Sequence, residues 1–76
     1  MIVVRAIWDA EAGVWVATSD DVPGLVTEAD TVEQLGEKLP GMIADLLAGG
    51  GIDGWPEIPL HLIAERTTRI PNPGLR

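Results

Sequence analysis

Seventy-six residues, no cysteine, one histidine and a net charge of −7 set the first limits. That length makes one domain, near the lower end of what a single core stabilises unaided. The missing cysteines exclude disulfides, thiolate metal sites and thiol nucleophiles, and His61 alone excludes a histidine-rich metal site.

The apolar fraction, 46%, is too high for a disordered chain. An acidic balance opposes nucleic-acid binding, which rests on neutralising phosphates. It serves solubility, or, in a sharper reading, the steering of a basic partner. No apolar run approaches the ~20 residues of a membrane span. The start, MIVVRAIW, lacks the basic residues and cleavage site of a signal peptide. These features, with the absent cysteines, predict a cytoplasmic protein. With disulfides and metals excluded, oligomerisation, as a homodimer, is the expected extra source of stability.

Ile2–Trp8 predicts the first strand. Ile2, Val4, Ala6 and Trp8 share one face, Val3, Arg5 and Ile7 the other. Because both faces are largely apolar, the strand is expected at the sheet centre, covered on both sides for part of its length. Residues 9–13 form a hairpin loop in which Gly13 supplies the positive φ. Val14–Thr18 is the second strand, and Trp8 and Trp15 are placed to pair across the hairpin. Ser19–Gly24 is a corner, with Pro23-Gly24 suited to a type II turn. Leu25–Ala29 completes an antiparallel three-stranded meander.

The pattern then changes period. Thr31 can cap a helix and Gln34 can reach back in a capping box. Val32, Leu35, Leu39, Met42, Ile43, Leu46 and Leu47 fall within an arc of roughly 140°. Glu33, Gln34, Glu37, Lys38, Gly41 and Asp45 occupy the opposite side. Pro40 lies inside this helix, and Gly36 eases its clash one turn back, so a kink is expected and not two helices. Gly49-Gly50-Gly51 ends the helix, at about residue 48. Residues 52–57 are a loop with Trp55-Pro56 at its tip. Ile58–Arg66 is the fourth strand, with Pro59 marking an end at an edge or outside the ladder. Residues 67–76, with Pro71, Pro73 and Gly74, form a tail. The expected class is α+β, in the order βββαβ, with one domain over 1–66.

The residues at the corner carry a resemblance. The Gly13 hairpin and Val14–Thr18 lead into Asp21-Val22-Pro23-Gly24, then Thr27, then Asp30-Thr31 with Glu33 beginning the helix. With the proline-interrupted helix Leu39-Pro40…Leu46-Leu47, this string resembles the HicB antitoxin family, in its smaller relatives catalogued as a domain of unknown function. The likeness covers roughly residues 1–66. It implies a partial ribonuclease-H-like fold: a sheet with one helix packed on it. It also implies a non-enzymatic module that binds and occludes a small basic, mRNA-cleaving toxin of the HicA kind. Many members of that family add a helix-turn-helix or ribbon-helix-helix segment for operator DNA. About ten Pro-rich residues after the fourth strand leave no room for either, so direct DNA binding is not expected.

The candidate chemistry is sparse. Asp20-Asp21 could hold Mg²⁺ as paired carboxylates, but adjacent residues on an extended chain point apart. The favoured reading is a solvated corner in which one aspartate accepts from turn amides. A ribonuclease-H-like fold invites a search for a carboxylate cluster among Asp9, Glu11, Asp20, Asp21, Glu33 and Glu37. None sits in the middle of the first strand, where a nuclease would need it. His61 has no nameable partner for acid–base work, Ser19 lacks a nucleophile-elbow context, and the glycine run lies at the wrong helix end for phosphate. No catalytic residue, cofactor or metal is therefore expected. Asp20, Asp21, Glu33, Glu37 and Trp55 are the candidate partner contacts. Arg66, Arg69 and Arg76 make the tail basic against an acidic body, which reads as a solvated terminus. The alternative function is a stand-alone structural or small-ligand-binding domain that self-associates through an exposed strand edge.

Overall fold

The computed structural model describes residues 1–48 and 56–75. Four strands, β1 (Ile2–Asp9), β2 (Val14–Thr18), β3 (Val26–Ala29) and β4 (Leu60–Glu65), and one helix, α1 (Val32–Leu47), follow in the order βββαβ. The class is α+β, as the sequence predicts. The sheet is mixed, in the order β3-β2-β1-β4. β1 pairs antiparallel with β2, and β2 with β3, giving the meander. β4 returns through α1 to lie parallel to β1.

Each turn has a local cause. Gly13 takes φ +69° and its amide donates to the Asp9 carbonyl at 2.8 Å, closing the hairpin. The Asp9 carboxylate accepts from the Glu11 and Ala12 amides. At the corner, Gly24 takes φ +84° and the Leu25 amide donates to the Val22 carbonyl, as a type II turn requires. The helix begins at Thr31, whose hydroxyl accepts from the Gln34 amide at 3.1 Å. The reciprocal half of the capping box is displaced: the Gln34 side chain accepts from the Asp30 amide, one residue earlier than expected. α1 continues through Pro40 as one element. The expected glycine stop at 49–51 lies outside the described residues.

One face of the sheet carries the core. Val4, Ala6, Ala17, Val22, Leu35 and Leu39 are fully buried, with Leu25 and Ile43 nearly so. Ala6 and Ala17 are cross-strand partners at the sheet centre. Their small side chains leave room above the sheet for Leu35 and Leu39. Val22 and Leu25 bring the corner into the same cluster.

Three expectations change. β1 is central, but only its even-numbered face is sealed: on the other side Arg5 and Ile7 are exposed. The described chain supplies one covering helix, so only one face can be sealed. Leu46, placed in the apolar arc, stands 46% exposed near the C-terminal end of α1. The strands are also shorter at their proline ends. β3 begins at Val26, since Leu25 closes the turn. β4 begins at Leu60, and the Pro59 carbonyl makes the last contact by accepting from Ile2.

Candidate functional site

The acidic corner is a latch on the end of β1. The Asp21 carboxylate accepts from the Val3 amide at 2.8 Å, and the Ser19 hydroxyl donates to the Val3 carbonyl at 2.6 Å. Ser19 also accepts from the Asp21 amide. The backbone ladder between β1 and β2 stops at Arg5 and Thr18, so the corner's side chains satisfy Val3 where strand pairing has ended. Asp21 is thereby engaged in the fold. Asp20 stays exposed and free of this network.

Glu33 and Glu37 are one turn apart on the exposed side of α1. Among the described residues the single ion pair is Arg5–Glu65, at 3.1 Å and well exposed on both sides. Such a pair contributes about 0–1 kcal/mol. Lys38 donates to the Glu28 carbonyl and so ties α1 to β3. The outer helix carboxylates and Asp20 make no ion pair among the described residues. Structure thus groups Glu33 with Glu37 on one surface, gives Asp21 a structural task, and leaves Trp55 outside the described residues.

Two aromatic residues are accounted for by packing. Trp8 and Trp15 are cross-strand partners whose rings meet edge to face, with centroids 5.5 Å apart. The Arg66 guanidinium lies 4.6 Å from the Trp8 ring centroid, a cation–π contact where β4 ends. His61 is exposed on β4. Among the described residues no group of three or more histidine, aspartate or glutamate side chains converges to hold a metal ion. No helix of the described chain is long and apolar enough to cross a membrane.

Among the described residues, two apolar surfaces are available. A groove of about 310 Å³ runs between the second half of α1 and the approach to β4, lined by Ile2, Pro40, Ile43, Leu47, Ile58 and Leu60 among others. Its walls offer few polar groups to orient a small ligand. The second surface is the open face of the sheet, where Ile7 is 60% and Val26 68% exposed beside the half-buried Val16 and Ile63. The residues of the first strand are apolar on both faces and do not say which one stays open. The signal was present in the apolar odd-numbered residues of the first strand, but alternation alone does not tell which face the helix will cover.

The relatives agree with this architecture. A crystal structure of the hypothetical protein TTHA1013 from the extremely thermophilic bacterium Thermus thermophilus is similar, at 49% sequence identity and a TM-score of 0.66. The match covers 93% of this chain and 97% of that one. No curated protein matches. The family model of the domain of unknown function DUF1902 matches residues 1–71, and the chain belongs to that family.

Proposed function

We propose that this chain is a non-enzymatic, cytoplasmic protein-binding module, a HicB-like antitoxin or an orphan relative, that binds and occludes a small basic protein. The observation that carries the reading is a set of exposed carboxylates, Asp20 at the corner and Glu33 and Glu37 on α1, that make no ion pair among the described residues of a chain with net charge −7. Such a surface steers a cationic partner and sets the rate of encounter more than the final affinity. The β-corner and capped helix that carry the HicB likeness also position these carboxylates. The partner's own basic residues, turned toward α1, would be withdrawn from RNA.

The test is a stopped-flow association measurement with a small basic protein encoded beside this gene. The on-rate should fall as salt shortens the screening length below ~8 Å. The double change Glu33→Lys, Glu37→Lys should lower it about tenfold, while the circular dichroism spectrum stays unchanged. Binding indifferent to both salt and charge reversal would refute the reading. An electrophoretic shift of upstream DNA by the isolated chain at physiological salt would refute the separation from operator binding.

The open sheet face favours a second reading. Exposed Ile7 and Val26 on a small, disulfide-free sheet suit self-association as a homodimer. The two readings are compatible, because α1 and the open face lie on opposite sides of the sheet.

A further inference from the structure

The chain does not end where its sheet ends. Residues 66–75 are exposed throughout and run outward beyond β4. The Cα radius of gyration is 16.0 Å and the long dimension 61 Å against 21 and 19 Å. A compact chain of this length has a radius of gyration of about 11 Å. Among the described residues, the hydrogen bonds made by 67–75 lie within the arm. The Asn72 side chain accepts from the Gly74 amide, and the Asn72 carbonyl accepts from the Leu75 amide. The arm is therefore locally shaped at its end, and it is held to the body at its root by Arg66 over Trp8. It nonetheless presents Ile70 at 79% and Leu75 at 76% exposure.

Charge divides at the same point. Residues 1–65 hold all twelve carboxylates and two of the five bases, a net charge of −10. Residues 66–76 hold the other three bases, all arginine, and no carboxylate side chain. The arm thus combines positive charge with exposed apolar side chains. The open sheet face combines exposed Ile7 and Val26 with the exposed Glu28 carboxylate. Arg5 on that face is paired with Glu65, which leaves Glu28 as a carboxylate of the face with no ion pair among the described residues.

We infer that the arm docks on the open sheet face of a second copy of this chain, reciprocally, so that two arms clasp a two-fold dimer. This deepens the self-association reading and rests on it. Nine extended residues reach about 30 Å, more than the roughly 15 Å across four strands. Pro71 and Pro73 lack amide donors, so the arm is suited to lie across the face by its side chains and unsuited to extend a strand ladder. Their fixed φ also reduces the entropy lost on docking. Ile70 and Leu75 cover Ile7 and Val26, and Arg69 meets Glu28. Two arms and two faces bring about twenty residues per copy into contact, the lower bound for a stable interface.

Sedimentation equilibrium on three proteins tests this: the full chain, a chain ending at Arg66, and the full-length double variant Ile7→Lys, Val26→Lys. The full chain should sediment at twice its 8.1 kDa. The two altered chains should each dimerise at least tenfold more weakly. Mixed together, they should form a one-armed heterodimer, since one keeps its face and the other its arm. Should truncation disturb folding, as judged by circular dichroism, the full-length double variant Ile70→Asp, Leu75→Asp replaces it, because both side chains are already in solvent. A truncated or Ile70/Leu75 variant that dimerises as tightly as the full chain overturns the clasp and leaves self-association standing. A full chain that stays monomeric up to hundreds of micromolar, whether its arm folds back or awaits a different macromolecule, overturns both.

Discussion

The two faces of this sheet are built from the same four strands, residue by residue in alternation, yet they end in opposite states. On one side Val4, Ala6 and Ala17 lose all contact with solvent. On the other, Arg5, Ile7 and Thr18, their immediate neighbours in sequence, remain exposed. Strand propensity does not separate them, for Ile7 is as good a β-former as Val4. What separates them is that the described chain carries one amphipathic helix, and Thr31, Leu35, Leu39 and Ile43 fix where it lies. A sheet with two apolar faces and one helix leaves its second face exposed among the described residues.

Substitutions can break or sharpen that contrast. The largest effect is expected at the covered face. Leu39→Ala should cost about 2–5 kcal/mol in a urea unfolding curve, since the fully buried side chain leaves a cavity beneath α1. Ala6→Leu, at the same layer, should cost about 1–3 kcal/mol by overpacking and displacing the helix. A neutral result there would mean that Ala6 and Ala17 do not set how closely α1 approaches. Gly24→Ala comes next, at about 1–2 kcal/mol. An added Cβ meets only Leu46 at an ordinary 3.9 Å, so that loss would come from the positive φ of the corner that carries Val22 and Leu25 into the core. The smallest effect belongs to the open face. Ile7→Thr should change the unfolding free energy of the isolated subunit by less than about 0.5 kcal/mol. A loss comparable to that at Leu39 would show that the open face is packed within the subunit, and the two faces would not differ as described.

Much of this architecture is legible in the residues. Gly13 and Gly24 are glycines because both take positive φ, and both turns follow from that. Thr31 marks the helix start because its hydroxyl meets an orphan amide. The 3.6-residue spacing of Leu35, Leu39 and Ile43 identifies the buried stripe. Other features are not readable locally. That β4 joins β1 in parallel depends on how a helix packs back across the sheet, a long-range matter. The role of Asp21 was half visible: an aspartate beside a Pro-Gly turn suggests bonding to a turn amide, but the amide it accepts from is that of Val3, eighteen positions earlier. Which face stays open is not legible, because period-two alternation marks both sides of β1 alike. For Asp20, Glu33 and Glu37, the residues show charge and, for the two glutamates, helix side, and the fold adds that none of the three is in an ion pair among the described residues.

The parallel pairing of β1 with β4 also bears on how the molecule comes to exist. Ile2 waits for Leu60, and Ile7 for Glu65. On a ribosome, the strand made first is flanked on one side by a hairpin partner that arrives at once. Its other edge stays unsatisfied until residues 60–65 have emerged. Closing so long a loop before its contacts repay the entropy slows folding well below that of a helical bundle of the same size. During that interval the bare edge of β1 is a template for any extended segment nearby. The β-hairpin and the capped helix can form early, but the native sheet is completed only when the last strand slides in beside the first.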